Sequence, residues 1–136
     1  MRISLLLFIF FGFVFSSIAQ HSLIIEIDKL SNNEGTVLLE LLDGNEQRIQ
    51  GVSQKIENNK CIIVIHNLKP GKYAFKYFHD KNRNKKLDTN WIGMPVEGFG
   101  FSNNAKGRFG PPSLEKMIFE LNGETTLICT AMYFKK

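Results

Sequence analysis

The chain has 136 residues, 43% of them hydrophobic, and its 17 Lys and Arg against 13 Asp and Glu give a formal net charge of +4. Its length suits a single domain that can bury a self-sufficient core. The positive excess is mild, and its most basic part, Lys81 to Lys86, also contains amide residues, so nucleic acid is not expected as a partner.

The first residues predict a secretory signal peptide that covers residues 1–19. Arg2 supplies a positive start, an apolar run extends from Ile3 to Phe15, and small residues follow at the cleavage site. The apolar run is shorter than the roughly 20 residues that a transmembrane helix needs, so no membrane span is expected after cleavage. We therefore expect a periplasmic or secreted protein in which residues 20–136 form one domain.

Period-two alternation of apolar and polar residues in the remaining chain predicts β-strands, with turn signals about every ten residues. In the first of them, Leu23, Ile25 and Ile27 share one face. The apolar β-branched run Cys61–Ile65 favours a central strand. The predicted strands are Ser22–Leu30, Thr36–Leu42, Cys61–Ile65, Lys72–His79, Lys116–Leu121 and Thr125–Phe134.

Three short segments between these strands carry turn signals. Asn32–Gly35 is interpreted as a hairpin loop, and Asn122-Gly123 is the strongest hairpin signal in the chain. Pro70-Gly71 predicts a type II turn, because proline fixes φ at the first central position and glycine accepts a positive φ at the second.

The pattern therefore predicts an all-β fold, an antiparallel β-sandwich of about seven strands, either immunoglobulin-like or transthyretin-like, with one long functional loop. Its two cysteines, Cys61 and Cys129, lie in apolar strand-like runs. Export permits a disulfide between them, but two buried free thiols are equally compatible with the sequence, which does not supply the geometry that a bridge requires.

An irregular segment from Asp80 to Ser113 interrupts the strands, and a loop of this length in a compact domain is usually functional. Its first nine residues place side-chain oxygens at relative positions 1, 3, 5 and 9, as in the calcium loop of an EF-hand. Position 7 can offer its backbone carbonyl. The candidate metal ligands are Asp80, Asn82, Asn84, Lys86 through its carbonyl, and Asp88.

This candidate calcium loop departs from the EF-hand pattern. Lys85 stands where a glycine makes the sharp turn, and Trp91 stands where a bidentate glutamate is needed. Four cationic side chains oppose a divalent ion, so a weak site is predicted, and Glu97 is a candidate to fold back as the missing carboxylate. The alternative is an Asp/Asn-rich turn held by its own side-chain-to-backbone hydrogen bonds.

Aromatic residues in the Gly/Pro-rich remainder of the segment allow two interpretations. They can form a platform that stacks on sugar rings or peptides, for which the candidate ligand-binding residues are Trp91, Glu97, Phe99 and Phe101. They can also plug the open end of the sandwich, which is the favoured interpretation. A phosphate cradle at Gly98 and Gly100 is not supported, because no helix follows.

Catalysis is not expected. His79 follows three aromatic residues on one strand face and is interpreted as a hydrogen-bonded core histidine rather than a base. The His and Cys residues lack zinc-ligand spacing, and the two aspartates of the loop suit ion ligation better than acid–base work.

A long run of residues carries a resemblance to a known family. The run comprises His79-Asp80-x-Asn82-x-Asn84-x-x-Leu87-Asp88-Thr89-Asn90, Ile92-Gly93-x-Pro95-x-Glu97-Gly98-x-Gly100-Phe101-Ser102-Asn103-Asn104 and Phe109-Gly110-Pro111-Pro112. It resembles the bacterial secreted family of unknown function numbered 2141, over nearly all of Leu23 to Tyr133. The resemblance implies a transthyretin-like or immunoglobulin-like sandwich, implies no known catalytic activity, and suggests that the Asp80–Asp88 and Glu97–Asn104 segments form one feature.

The sequence therefore predicts an exported, non-catalytic β-sandwich that acts as a binding or structural module, with calcium as its candidate cofactor. The alternative is a module that binds a glycan or a peptide through the loop aromatics, with a cell-surface glycan or protein as its candidate partner. A third hypothesis, an enzyme of unknown type, needs a cleft that pairs His66 or His79 with an acidic residue.

Overall fold

The computed structural model describes residue 14 and residues 16–134, which form two packed β-sheets. Most of the predicted signal peptide, residues 1–13 and 15, lies outside the described residues. The eight described strands are β1 (His21–Asp28), β2 (Thr36–Asp43), β3 (Arg48–Lys55), β4 (Cys61–Leu68), β5 (Gly71–Asp80), β6 (Phe99–Phe101), β7 (Phe119–Leu121) and β8 (Thr125–Thr130). A 3-10 turn at Ser102–Asn104 and the short helix α1 (Leu114–Met117) are the described helical elements. The predicted all-β sandwich is confirmed.

The strands divide between a three-stranded sheet, in the order β4-β1-β8, and a five-stranded sheet, in the order β3-β2-β5-β6 with β7 also paired to β5. Pairing is antiparallel except between β1 and β8, which run parallel. The facing sides of the two sheets form one hydrophobic core. Leu23, Ile25 and Ile27 are fully buried in it, as the alternation predicts, and each contributes roughly 2 kcal/mol by leaving water.

Two of the predicted hairpins are wrong. Residues 32–35 connect β1 to β2, and Asn122-Gly123 connects β7 to β8, but in both cases the two strands belong to different sheets. These segments cross between the layers of the sandwich. A hairpin instead joins β2 to β3, where the Asp43 carboxylate accepts hydrogen bonds from the backbone N–H groups of Asn45 and Gln47 at 2.8 and 2.9 Å.

The turn before β5 also differs from its prediction. The residue with positive φ is Asn67, at 61°, and not Gly71. Tyr73 fixes this crossing between the sheets, because its hydroxyl donates to the carbonyl of Lys69 at 2.6 Å. The other strand errors are local: Arg48–Lys55 was missed, residues 116–117 belong to α1, and β4 is an edge strand rather than a central one.

The two cysteines are free and buried, so the disulfide alternative is wrong. Cys61 on β4 and Cys129 on β8 both pair with Ile27 of β1, one on each side of that strand. Two strand spacings of about 4.8 Å therefore separate them. Their Cα atoms lie beyond the roughly 7 Å limit for a bridge. Burial raises the pKa of the Cys61 thiol to about 12 and that of Cys129 to about 11.

Candidate functional site

The loop between β5 and β6 starts and ends at neighbouring points of the five-stranded sheet. Because β5 and β6 are antiparallel partners, the backbone N–H of His79 donates to the carbonyl of Gly98 at 2.7 Å and closes the base of the loop. The candidate calcium loop, Asp80–Asp88, therefore projects from a rigid strand end and not from a free linker.

Asp80 organises the first half of this loop from within the protein, since it is only 1% exposed. One of its carboxylate oxygens accepts the N–H of Asn84 at 3.1 Å, and the other accepts the N–H of Lys85 at 2.9 Å. Arg83 and Lys85 adopt left-handed backbone conformations, with φ of 59° and 63°. These two reversals curl the chain around the buried carboxylate.

The other predicted oxygen donors lie together in the curl. Asn82 and Asn84 donate their side-chain N–H groups to the two carboxylate oxygens of Asp88, at 2.6 and 2.8 Å. Their own amide oxygens accept the N–H of Asn84 at 3.1 Å and of Lys86 at 2.9 Å respectively. The structure thus brings together Asp80, Asn82, Asn84 and Asp88, and places the backbone of Lys86 against Asn84.

Glu97 folds back beneath the loop. Its side chain is 4% exposed, and its two carboxylate oxygens accept the N–H of Lys81 at 3.0 Å and the N–H of Asp88 at 3.1 Å. One carboxylate thus ties both ends of the loop to the residue that leads into β6. Glu97 is therefore buried beneath the calcium loop, whereas Trp91 is 95% exposed.

Three of the four cationic side chains of the loop are exposed, and the fourth, Lys81, is half-buried. Arg83, Lys85 and Lys86 are exposed, and the Lys81 ammonium lies 5.9 Å from the ring centre of Tyr133. In the part of the chain that the structure describes, no group of three or more His, Cys, Asp or Glu side chains is placed to hold a metal ion. A cation in this loop would therefore depend on the amide oxygens of Asn82 and Asn84 as well as on carboxylates.

The segment after the loop forms a second, smaller turn. The Asn90 side-chain oxygen accepts the N–H groups of Ile92 and Met94 at 3.1 and 2.9 Å. Trp91 projects from this turn and is 95% exposed, and Phe109 on the following loop is 94% exposed. The plug interpretation is wrong for these two residues.

Phe99 and Phe101 occupy a different place. They are half-buried on strand β6, with their ring centres 6.1 Å apart, and the ring of Phe134 lies 5.4 Å from that of Phe99. The predicted ligand-binding residues are therefore divided among an exposed tip (Trp91), a strand face (Phe99 and Phe101) and the underside of the loop (Glu97).

The glycines of β6 and its approach have a packing role. A Cβ on Gly98 would come within 2.3 Å of the Tyr133 ring, and a Cβ on Gly100 would come within 2.3 Å of the Tyr77 hydroxyl. Only glycine lets these two rings lie directly on the backbone. This close packing explains the Gly-x-Gly spacing without a phosphate.

Both ring nitrogens of His79 are engaged by protein groups, as the sequence predicts. Its Nε2 lies 2.7 Å from the carbonyl of Glu34, which can only accept, so Nε2 carries the proton. Its Nδ1 lies 3.1 Å from the Tyr133 hydroxyl, and that hydroxyl accepts the N–H of Ser31 at 2.9 Å. His79, on β5 next to Asp80, thus joins β5 to the segment that connects β1 to β2.

The Ser102–Asn104 turn is a clamp that sequence reasoning did not resolve. The Ser102 hydroxyl donates to the carbonyl of Met117 at 2.6 Å and accepts the N–H of Phe75 at 3.0 Å. Asn104 accepts the N–H of Thr130 at 2.9 Å. The turn therefore ties β5, α1 and β8 together. Glu97 and the backbone hydrogen bond from the Val96 N–H to the carbonyl of Asp88, at 2.9 Å, join the segment before β6 to the calcium loop. The turn's sequence signals were the Ser-Asn-Asn run itself and the inclusion of that run in the motif that carries the family resemblance.

The comparisons with known proteins identify a family and nothing more specific. A family model described as "Uncharacterized protein conserved in bacteria (DUF2141)" matches residues 25–128. Neither the curated proteins nor the solved structures contain a match. In the described residues, no helix is both long and apolar enough to cross a membrane.

Proposed function

The chain belongs to the DUF2141 family of uncharacterized proteins conserved in bacteria, and we propose that it acts as an exported, non-catalytic module whose Asp80–Asp88 loop is stabilised by calcium. One observation carries the calcium proposal: the oxygens of Asp80, Asn82, Asn84 and Asp88 lie in one curl. Calcium takes six to eight hard oxygen ligands, so these side chains, the carbonyl of Lys86 and water suit it chemically.

The hydrogen bonds within the loop leave capacity for an ion. An amide oxygen has two lone pairs and an ionised carboxylate about four acceptor positions, while each oxygen of the cluster accepts one described N–H. The bound ion would offset the repulsion between Asp80 and Asp88 and hold the loop on the sheet. It would have no chemical step to perform.

Thermal melting with calcium tests this proposal. For a site with a Kd of about 10⁻⁴–10⁻³ M, about 5 mM Ca²⁺ stabilises the folded state by about 1–2 kcal/mol, which raises the Tm by several degrees. The Asp88→Asn variant should lose most of this shift. Asp43→Asn is the matched control, because Asp43 also accepts loop N–H groups but lies in the β2–β3 hairpin.

Two outcomes would contradict the calcium proposal. One is an unchanged midpoint of the wild type between calcium and a chelator. The other is a melting-temperature shift that does not depend on the proposed site. Such a shift would be equally large with magnesium, or equally large in Asp88→Asn and Asp43→Asn, and would indicate a general ionic effect. Isothermal titration with CaCl₂ gives the stoichiometry, expected to be one ion per chain.

Export is supported by the signal-peptide pattern and by the start of β1 at His21, because cleavage before Gln20 would leave all the described strands intact. Mass spectrometry of the protein expressed with its leader tests this, with a mature N-terminus at Gln20 as the expected result. The proposal of a non-catalytic module is supported by His79, both of whose nitrogens are occupied. An activity lost in His79→Gln with the fold retained would contradict it.

Ligand binding at the loop tip is a second candidate, favoured by the 95% exposure of Trp91. Trp91 is the chain's single tryptophan, so its fluorescence reports on this tip alone. If the tip binds a glycan or peptide, the emission of Trp91 should shift to the blue when that ligand is added. Free tryptophan titrated with the same ligand is the fluorophore control and should show no shift. Emission that stays unchanged at saturating ligand, while another method detects binding, would place the ligand elsewhere.

A further inference from the structure

A broad groove lies on the outer face of the five-stranded sheet, opposite the core. It encloses about 800 Å³ and is open to solvent. Two rows of side chains cross the strands along its floor. Leu38 pairs with Phe78, which pairs with Phe99, and Glu40 pairs with Lys76, which pairs with Phe101. Leu38 is an apolar residue at a position of β2 where the alternation predicts a polar one. Its side chain lies on this outer face, in the floor of the groove, and not in the core.

The groove combines aromatic surface with polar groups. Phe78, Phe99 and Phe101 are half-buried and leave part of their rings accessible. The Glu40 carboxylate lies between two cations, 3.1 Å from the Arg48 guanidinium and 2.8 Å from the Lys76 ammonium. A flat apolar surface beside fixed polar groups suits a ligand with one apolar and one hydroxylated face, which is the character of a sugar ring.

The charges of the groove favour an acidic ligand. Lys85 contributes a third cation from the calcium loop, against the carboxylates of Glu40 and Glu46. Arg48 and Lys76 both contact the Glu40 carboxylate. Together they carry eight N–H donors, and one carboxylate has about four acceptor positions, so donors remain for the carboxylate of a ligand. Gly51 contributes to this arrangement, because a Cβ there would lie 2.6 Å from the Arg48 guanidinium that crosses it.

A polysaccharide fits this face better than a peptide does. The backbone groups of β2 and β5 are consumed by pairing on both sides, so the face offers few partners for the backbone of an extended peptide. Peptides usually add to an exposed sheet edge, where such partners are free. Sugar hydroxyls and carboxylates need only the side-chain donors and acceptors that the groove presents.

We propose that this groove binds an acidic polysaccharide, with sugar rings on Phe78, Phe99 and Phe101 and uronate carboxylates on Lys76 and Arg48. The aromatic floor consists of strand residues, so the proposal goes beyond the calcium loop, which contributes Lys85 to the positive charge of the groove. Calcium enters only through Lys85 and Leu87, which the loop contributes to the rim.

Binding of polygalacturonate to the purified protein, measured by affinity electrophoresis and titration calorimetry, tests this proposal. Dextran is the neutral probe and poly-glutamate the acidic peptide probe. Lys76→Ala should weaken polygalacturonate binding by about fivefold or more. Lys60→Ala, which removes an equal charge from an exposed turn outside the groove, should bind as the wild type does. Binding should also weaken in about 0.5 M salt.

Phe78→Leu separates stacking from charge, because leucine keeps an apolar side chain at this half-buried position and removes the ring. It should retain the wild-type melting temperature within a few degrees and lose affinity for polygalacturonate. Absence of polygalacturonate binding, equal losses in Lys76→Ala and Lys60→Ala, or equal binding of poly-glutamate would each overturn the proposal. Binding measured in chelator distinguishes its failure from that of the calcium proposal, since the strand floor needs no ion.

Discussion

Lys85 makes the most informative single test of the calcium loop, because it adopts a conformation that suits glycine. Its φ is 63°, in the left-handed region, and it stands at the position where the EF-hand pattern has glycine. A side chain with a Cβ pays about 1–2 kcal/mol in that conformation. Lys85→Gly removes this strain and one positive charge, and keeps the backbone N–H that donates to Asp80.

Lys86→Gly is the matched control. It removes the same charge from the next residue, and it also keeps a backbone N–H bonded within the loop, to Asn84 at 2.9 Å. Lys86 is not among the residues with positive φ. The added chain entropy of glycine destabilises both variants by a similar amount, about 0.5–1 kcal/mol, so it cancels in their comparison. Lys85→Gly should therefore be more stable than Lys86→Gly by about 1–2 kcal/mol.

Urea unfolding followed by circular dichroism, in chelator and in calcium, measures this difference. In chelator, the midpoint should rise or stay constant for Lys85→Gly and fall for Lys86→Gly, at an unchanged slope. Calcium affinity should increase in both variants, because each lowers the positive charge of the loop. Equal stabilities of the two variants would refute the assigned strain at Lys85, and a lower affinity in both would refute the charge reasoning.

Two further predictions concern the sandwich. Gly100→Ala should lower the free energy of unfolding by about 2–3 kcal/mol, because the new Cβ meets the buried Tyr77 ring. Gly123→Ala is the control and should be nearly neutral, because a Cβ there meets nothing within 4 Å. Similar melting temperatures of the two variants would contradict the packing role of Gly100. Burial raises the pKa of Cys61 to about 12 and of Cys129 to about 11, so the unfolded chain releases thiol protons that the folded state keeps. The thiols therefore contribute to the free energy of unfolding, and this contribution is fully present below the ordinary thiol pKa of 9.0. As the pH rises above 9.0, the free energy of unfolding falls by at most about 1.4 kcal/mol per pH unit for each thiol. Urea unfolding from pH 8 to 11 should show this decline, and an identical decline in the Cys61→Ala/Cys129→Ala variant would rule out the thiols as its cause.

Calcium melting and polysaccharide binding address different parts of the protein. The calcium loop depends on residues between β5 and β6, and the groove depends mainly on β2, β5 and β6. A chain that binds polygalacturonate in chelator and also melts higher in calcium would support both proposals.

Local patterns in the sequence determined the strand positions and the chemistry of the loop. The faces of β1, β2 and β5 follow from the two-residue period of extended backbone, which needs no knowledge of the partner strand. The approach of Asp80, Asn82, Asn84 and Asp88 also follows from short spacing, because residues within one curl cannot lie far apart. Both features depend on neighbours in the chain.

Tertiary structure decided which strands became partners, and this choice reversed several local expectations. Asn122-Gly123 connects β7 to β8 without the positive φ that a hairpin turn at this pair needs, and the two strands join different sheets, since each apolar face must be buried against the opposite layer. The distance between Cys61 and Cys129 exists only because β1 lies between them. The groove likewise arises from the pairing of Glu40, Lys76 and Phe101 across three strands, and burial of the core, not any local signal, sets that register.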